Sequence, residues 1–216
     1  MATIIVLGGT GYAGSNIVKV AAERGHAVTS YSRTLPTDRT TGVDYRSGDV
    51  QDLAFLSQAI ADANVVISAL SPRGELAATG ILRQIEQSIA ELADERSIRF
   101  GVIGGAGSLL VAEGGLTVAQ TDDFPDEFKA EAAEMAGVLK DLLMTEPSLD
   151  WFFVSPAGGF GAWVPGEATG KFRIGGDVLL VDDQGQSTIS GADLALAVVQ
   201  EVEQPTHRRA RFTVAY

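Results

Sequence analysis

Apolar residues along this chain fall into short continuous runs separated by stretches with helical spacing. The continuous runs occupy residues 4–7, 27–32, 65–69, 100–103 and 151–155. Each is short and bounded by turn-forming residues, which reads as a buried strand. Between them, apolar positions recur with helical spacing over 15–23, 51–60, 80–95, 129–144 and 192–201. Gly25 suits the end of the first helix, Asp49 the cap of the second and Asp193 the start of the last. Continuous apolar strands alternating with helices imply parallel strands covered on both faces. The expectation is an α/β fold with a doubly wound parallel sheet. Residues 158–183 are glycine-rich and aperiodic, and read as loops or short strands near the carboxyl edge of the sheet. No boundary for a second unit is visible, so residues 1–216 read as one domain with a small loop-rich C-terminal substrate region.

Composition narrows the chemistry. The chain has no cysteine, which excludes disulfides, zinc–thiolate sites and thiol nucleophiles. His26 and His207 are isolated and read as structural, so no metal site is expected. The net charge of −12 offers no basic face for nucleic acid and disfavours anionic membranes. No apolar run is long enough to span a bilayer, and no cleavable leader pattern is seen. The expected setting is soluble and cytoplasmic, with neither nucleic acid nor membrane as partner.

The turn after the first strand carries the sharpest signal. Residues 8–14 read GGTGYAG, placing Gly8, Gly9, Thr10, Gly11, Tyr12, Ala13 and Gly14 between a strand and a helix. Gly9, Gly11 and Gly14 fit G-x-G-x-x-G. Such spacing allows a tight turn, close backbone approach to a pyrophosphate and close helix–strand packing. The helix N-terminus then presents free N–H groups to the phosphates. The second strand reads AVTSYSR over 27–33, with Arg33 at its end and no carboxylate inside it. An acidic residue there would hold a ribose 2′-hydroxyl, whereas an arginine suits a 2′-phosphate. NADP(H) is therefore the preferred cofactor, with NAD(H) possible.

With these features the chain resembles the atypical short-chain dehydrogenase/reductases. The branch it resembles is the single-domain NAD(P)H-binding, NADH-flavin reductase-like group related to biliverdin reductase B (flavin reductase). The resemblance spans nearly the whole chain. It is carried by GGTGYAG at 8–14, GDV at 48–50, SAL at 68–70, VIGGAGS at 102–108, DWFFVSPA at 150–157, ISGADLA at 189–195 and EQPTH at 203–207. It implies an NAD(P)-binding Rossmann fold. It also implies that Asp49 and Val50 line the adenine pocket and that Ala69 and Leu70 pack beside the adenosine. Gly104 and Gly105 would lie under the nicotinamide half, and Pro156 and Ala157 would approach its carboxamide.

The chain departs from the superfamily's usual catalytic pattern, a Ser with Tyr-x-x-x-Lys. If Lys129 is the surviving lysine, the tyrosine position falls on Pro125, which donates no proton. Ser108 stands roughly where the serine would be, and it also suits a turn. Ser108 and Lys129 are the catalytic candidates that remain. Reduction of a carbonyl needs an acid and an oxyanion stabiliser. Hydride transfer to a flavin or quinone needs less, because the acceptor spreads the charge and solvent supplies the proton. Phe160 and Trp163 could give a lid with aromatic faces for a small planar acceptor. The leading expectation is an NADPH-dependent reductase of flavin- or quinone-like acceptors. A non-catalytic NAD(P)-sensing regulator with a protein partner is the alternative. A sugar-nucleotide epimerase or dehydratase relative is a weaker one.

Overall fold

In the computed structural model, which describes residues 1–77 and 79–216, strands and helices alternate through most of the chain. The strands are β1 (Thr3–Leu7), β2 (Ala27–Ser32), β3 (Val43–Ser47), β4 (Val65–Ser68), β5 (Arg99–Ile103), β6 (Trp151–Pro156), β7 (Arg173–Gly175) and β8 (Ala210–Ala215). The helices are α1 (Tyr12–Glu23), α2 (Leu53–Ala59), α3 (Ile81–Glu95), α4 (Asp126–Leu143) and α5 (Gly191–Glu203). One 8-stranded sheet runs β3-β2-β1-β4-β5-β6-β8-β7. Neighbours pair in parallel except β7, which runs antiparallel to β8.

The central strands are apolar on both sides because both sheet faces are covered. On one face Ile4, Val6, Phe152, Val154 and Phe212 meet Ile17 and Val18 of α1 and Leu194 and Val198 of α5. On the other, Leu7, Val66, Phe100, Val102, Trp151 and Phe153 meet Leu56 of α2, Ile85 and Ile89 of α3 and Val138 and Leu142 of α4. The doubly wound parallel sheet expected from the pattern is therefore the fold.

Several boundaries differ from the pattern. Helix α1 starts at Tyr12, three residues before the expected start, so Tyr12, Ala13 and Gly14 form its first turn. Helix α4 likewise starts at Asp126 rather than 129. Asp49 does not cap α2. The cap is Asp52, whose carboxylate accepts from the Ala54 and Phe55 amides, while Asp49 accepts from Gln51 N–H at 2.9 Å in the preceding turn. Ser190 caps α5 through its hydroxyl, and Asp193 lies in the first turn. Strands β3 and β8 were not expected. In β3 only alternate residues are sheltered, as suits an edge strand paired on one side. In β8 the buried residues 212–215 are preceded by Arg211, which breaks the apolar run. The aperiodic segment contains β7 and otherwise consists of loop and isolated bridges. Among the described residues, no helix is long and apolar enough to cross a membrane.

Candidate dinucleotide site at the carboxyl edge of the sheet

Because β1 to β6 are parallel, the loops that follow them share one edge. That edge collects the glycine turn after β1, Arg33 after β2, Asp49 and Val50 after β3, and Ala69 and Leu70 after β4. It also collects Gly104, Gly105 and Ser108 after β5, and Ala157, Phe160 and Trp163 after β6, whose last residue is Pro156. Chain order reverses between β1 and β4, which opens the crevice where ligands bind in such sheets.

The turn after β1 is fixed by backbone bonds. The Gly8 and Gly9 N–H groups donate to Tyr31 C=O at 2.9 and 3.2 Å, and Gly11 N–H donates to Gly8 C=O at 3.0 Å. Gly8 has φ +80, a conformation that disfavours side chains, and a Cβ there would lie 2.8 Å from Ala69 O. At Gly14 a Cβ would lie 2.3 Å from Gly8 O and 2.8 Å from Gly9 Cα, so only glycine lets α1 sit this close to the turn. Gly11 is different: the nearest atom to a Cβ there is 3.4 Å away. The packing that glycine-rich phosphate turns need is thus provided by Gly8, Gly9 and Gly14, while Gly11 keeps space free above the turn.

Gly11 is also the N-cap of α1 and brings no side-chain acceptor. The first helical bond runs from Ser15 N–H to Gly11 C=O at 2.8 Å. The amides of Tyr12, Ala13 and Gly14 precede it and are available to an anion, aided by the positive end of the helix. Thr10, on the turn itself, is exposed. The donor set therefore fits a pyrophosphate.

At the tip of β2, the exposed Arg33 guanidinium pairs with Glu75 at 2.5 Å. Asp49 is exposed, and Val50, Ala69 and Leu70 are half-buried against the cores. Gly104 is needed by Phe153, whose ring would lie 2.0 Å from a Cβ, whereas Gly105 faces open space. Pro156 and Ala157 are buried at the end of β6.

The catalytic candidates have partners of their own. Ser108 Oγ and its C=O both accept from Arg211 at 2.9 Å, and Arg211 continues to Asp177 at 2.6 Å. Lys129 pairs with Asp126 at 2.6 Å on the exposed first turn of α4. Two tyrosine hydroxyls near the site are engaged as well. Tyr12 OH donates to Pro165 C=O and accepts from Gly191 N–H, each at 3.1 Å. Tyr216 OH donates to Asp193 at 2.6 Å and accepts from Ser190 N–H at 3.2 Å.

The loop after β6 is held from below and above. Asp193 accepts from the Thr169 and Gly170 amides at 2.7 and 2.9 Å as well as from Tyr216. Desolvation acts to raise its carboxyl, but these hydrogen bonds outweigh it and hold it below the usual carboxylate range. Phe160 packs on the Tyr12 ring with centroids 5.3 Å apart. Trp163 stacks on Phe128 of α4 at 6.3 Å, and Arg73, after β4, lies 5.6 Å from the Trp163 ring. Arg73, Phe128, Asp193, Arg211 and Tyr216 were not among the residues that sequence reasoning selected for the site. Their partners are distant in sequence, and only the fold joins them.

A glycine turn and free helix end at the switch point of a doubly wound sheet define a dinucleotide-binding Rossmann fold. Comparison with known proteins gives the family. Residues 8–205 match the NAD(P)H-binding family, and the chain belongs to it. The protein YwnB of Bacillus subtilis (strain 168) is 37% identical over 210 residues, spanning 97% of this chain and 96% of that one. A solved structure named as a candidate epimerase, from Bacteroides thetaiotaomicron, is 30% identical with a TM-score of 0.89, covering 100% of this chain and 97% of that one. Another, named as a candidate NADH-flavin reductase from Streptococcus pneumoniae TIGR4, is 32% identical with a TM-score of 0.86, covering 100% and 99%.

Proposed function

We propose that this protein is an NADPH-preferring reductase that passes hydride to a small planar acceptor of the flavin or quinone kind. The observation that carries the reading is the pairing of an uncapped helix end over the glycine turn with an arginine at the tip of β2. When bound, the nicotinamide supplies the hydride. The chain's own residues do the rest. Amides of the α1 first turn hold the pyrophosphate, Arg33 holds the 2′-phosphate, and Gly105 leaves the approach under the nicotinamide open. Phe160 and Trp163 offer aromatic faces that exclude water and align the acceptor.

The proton inventory favours such an acceptor over a carbonyl or sugar. Pro125 stands four residues before Lys129, where the superfamily has its tyrosine. The hydroxyl of Tyr12 is committed to the loop after β6 and that of Tyr216 to Asp193 of α5. An acceptor that delocalises its own charge needs none of them. The name of the Streptococcus pneumoniae structure accords with this reading. The name of the Bacteroides thetaiotaomicron structure points to epimerisation, which in this superfamily relies on the tyrosine that this chain lacks.

A second reading, a nucleotide-sensing regulator with a protein partner, takes its support from the same missing tyrosine. NADPH oxidation followed at 340 nm with flavin mononucleotide and with small quinones separates the two. Acceptor-dependent oxidation supports the reductase. Firm NADPH binding with no oxidation by any acceptor supports the regulator.

A further inference from the structure

The end of β2 lacks the carboxylate that would hold a ribose 2′-hydroxyl, but the fold brings one there from another loop. Glu75 lies on a single 3₁₀ turn (Gly74–Leu76) after β4, and its Oε2 stands 2.5 Å from the Arg33 Nη1. This turn is anchored on its other side. Arg73, its N-cap, donates through Nε to Glu131 of α4 at 2.7 Å and lies over the Trp163 ring. The turn that carries Glu75 is therefore tied to the opposite flank of the crevice.

We infer that Glu75 is a specificity-determining residue for the nucleotide, acting with Arg33 as a paired reader of the ribose 2′ position. The inference rests on the reading of Arg33 as the 2′ contact. A 2′-phosphate approaching Arg33 meets the Glu75 carboxylate on the same guanidinium. The like charges repel, which weakens NADPH binding unless the ion pair opens or rotates. A 2′-hydroxyl meets no such barrier, because a carboxylate accepts a hydrogen bond from it. Glu75 thus lowers the discrimination that Arg33 alone would give and keeps NADH usable. Both side chains are largely exposed, so the effect is moderate rather than absolute.

The test is calorimetric titration of the full-length protein with NADPH and with NADH, for wild type, Glu75→Gln, Glu75→Ala and Arg33→Ala. Neither residue is in the core, so folding is checked only by thermal melting. Glu75→Gln and Glu75→Ala are expected to raise the NADPH-to-NADH affinity ratio by about fivefold. Arg33→Ala is expected to lower it, mainly by weakening NADPH. If Arg33→Ala lowers the ratio while both Glu75 variants leave it at the wild-type value, the inference is overturned and the Arg33 reading stands. If none of the three variants moves the ratio, both are overturned, although cofactor binding itself survives. If neither nucleotide binds wild type, the proposed function fails with them.

Discussion

Two glycines of the turn after β1 have opposite duties, and alanine substitutions separate them. At Gly14 an added Cβ would lie 2.3 Å from Gly8 O and 2.8 Å from Gly9 Cα. Both are backbone atoms of a turn fixed by bonds to Tyr31, so neither can rotate away. Helix α1 would have to shift outward, and overpacking of this kind costs about 1–3 kcal/mol. At Gly11 the nearest atom is 3.4 Å from the Cβ, and its backbone (φ −71, ψ 170) suits any residue. Alanine is a slightly poorer N-cap than glycine, a loss under about 1 kcal/mol. Its methyl would instead occupy the space above the turn that a pyrophosphate needs. Urea denaturation and NADPH titration of both variants give the assay. Gly14→Ala should lose stability, whereas Gly11→Ala should keep most stability and lose about tenfold or more in affinity. A Gly14→Ala protein as stable as wild type, or a Gly11→Ala protein with full affinity, would refute the packing argument.

Other consequences follow from groups around the site. Glu86 of α3 is buried, with Ser68 Oγ–H donating to it at 2.5 Å, and burial pushes its carboxyl up to about 8. The folded state then keeps a proton that the unfolded chain releases between about pH 4.5 and 8, so stability falls by a few kcal/mol as pH rises through that window and levels off above it. Glu86→Gln should flatten this fall in thermal melts, and an unchanged slope would contradict the assignment. Asp193→Asn should cost about 1–3 kcal/mol in urea and speed proteolysis within 158–172, since it removes charged acceptors from two amides and Tyr216. Tyr12→Phe frees Pro165 from α1 and should raise the KM for the acceptor while NADPH affinity changes little. Arg99→Met leaves Glu201 buried without its 2.5 Å partner and should destabilise by about 3–5 kcal/mol in denaturant titration.

The central sheet was legible because buried parallel strands must be apolar on both sides. Residues 4–7, 65–68 and 151–155 show this directly. Strands on the flanks were not. Val43 to Ser47 alternates with Asp44 and Arg46, as an exposed edge strand must, and resembles loop. In β8, Arg211 occupies an inner position because Ser108 and Asp177 meet its charge, and neither is near it in sequence. The same limit applies to the site. Glycine spacing and Arg33 are local signals that can be read within one turn or strand. The Glu75 partner lies 42 residues away and the Asp193 latch spans 23 or 24. Such contacts depend on topology, which no local pattern encodes. The helix starts were misplaced for a related reason. The first turn of α1, Tyr12 to Gly14, lies inside the glycine motif and reads as turn, and α4 opens on the exposed Asp126 and Glu127.

The account stands on the glycine turn and α1 holding a nicotinamide dinucleotide. Calorimetric titration of wild type and Gly11→Val with NADPH tests this most directly. Saturable one-to-one binding to wild type that disappears in a folded Gly11→Val protein is the predicted result. Absence of binding to wild type, or equal binding to both proteins, would contradict it.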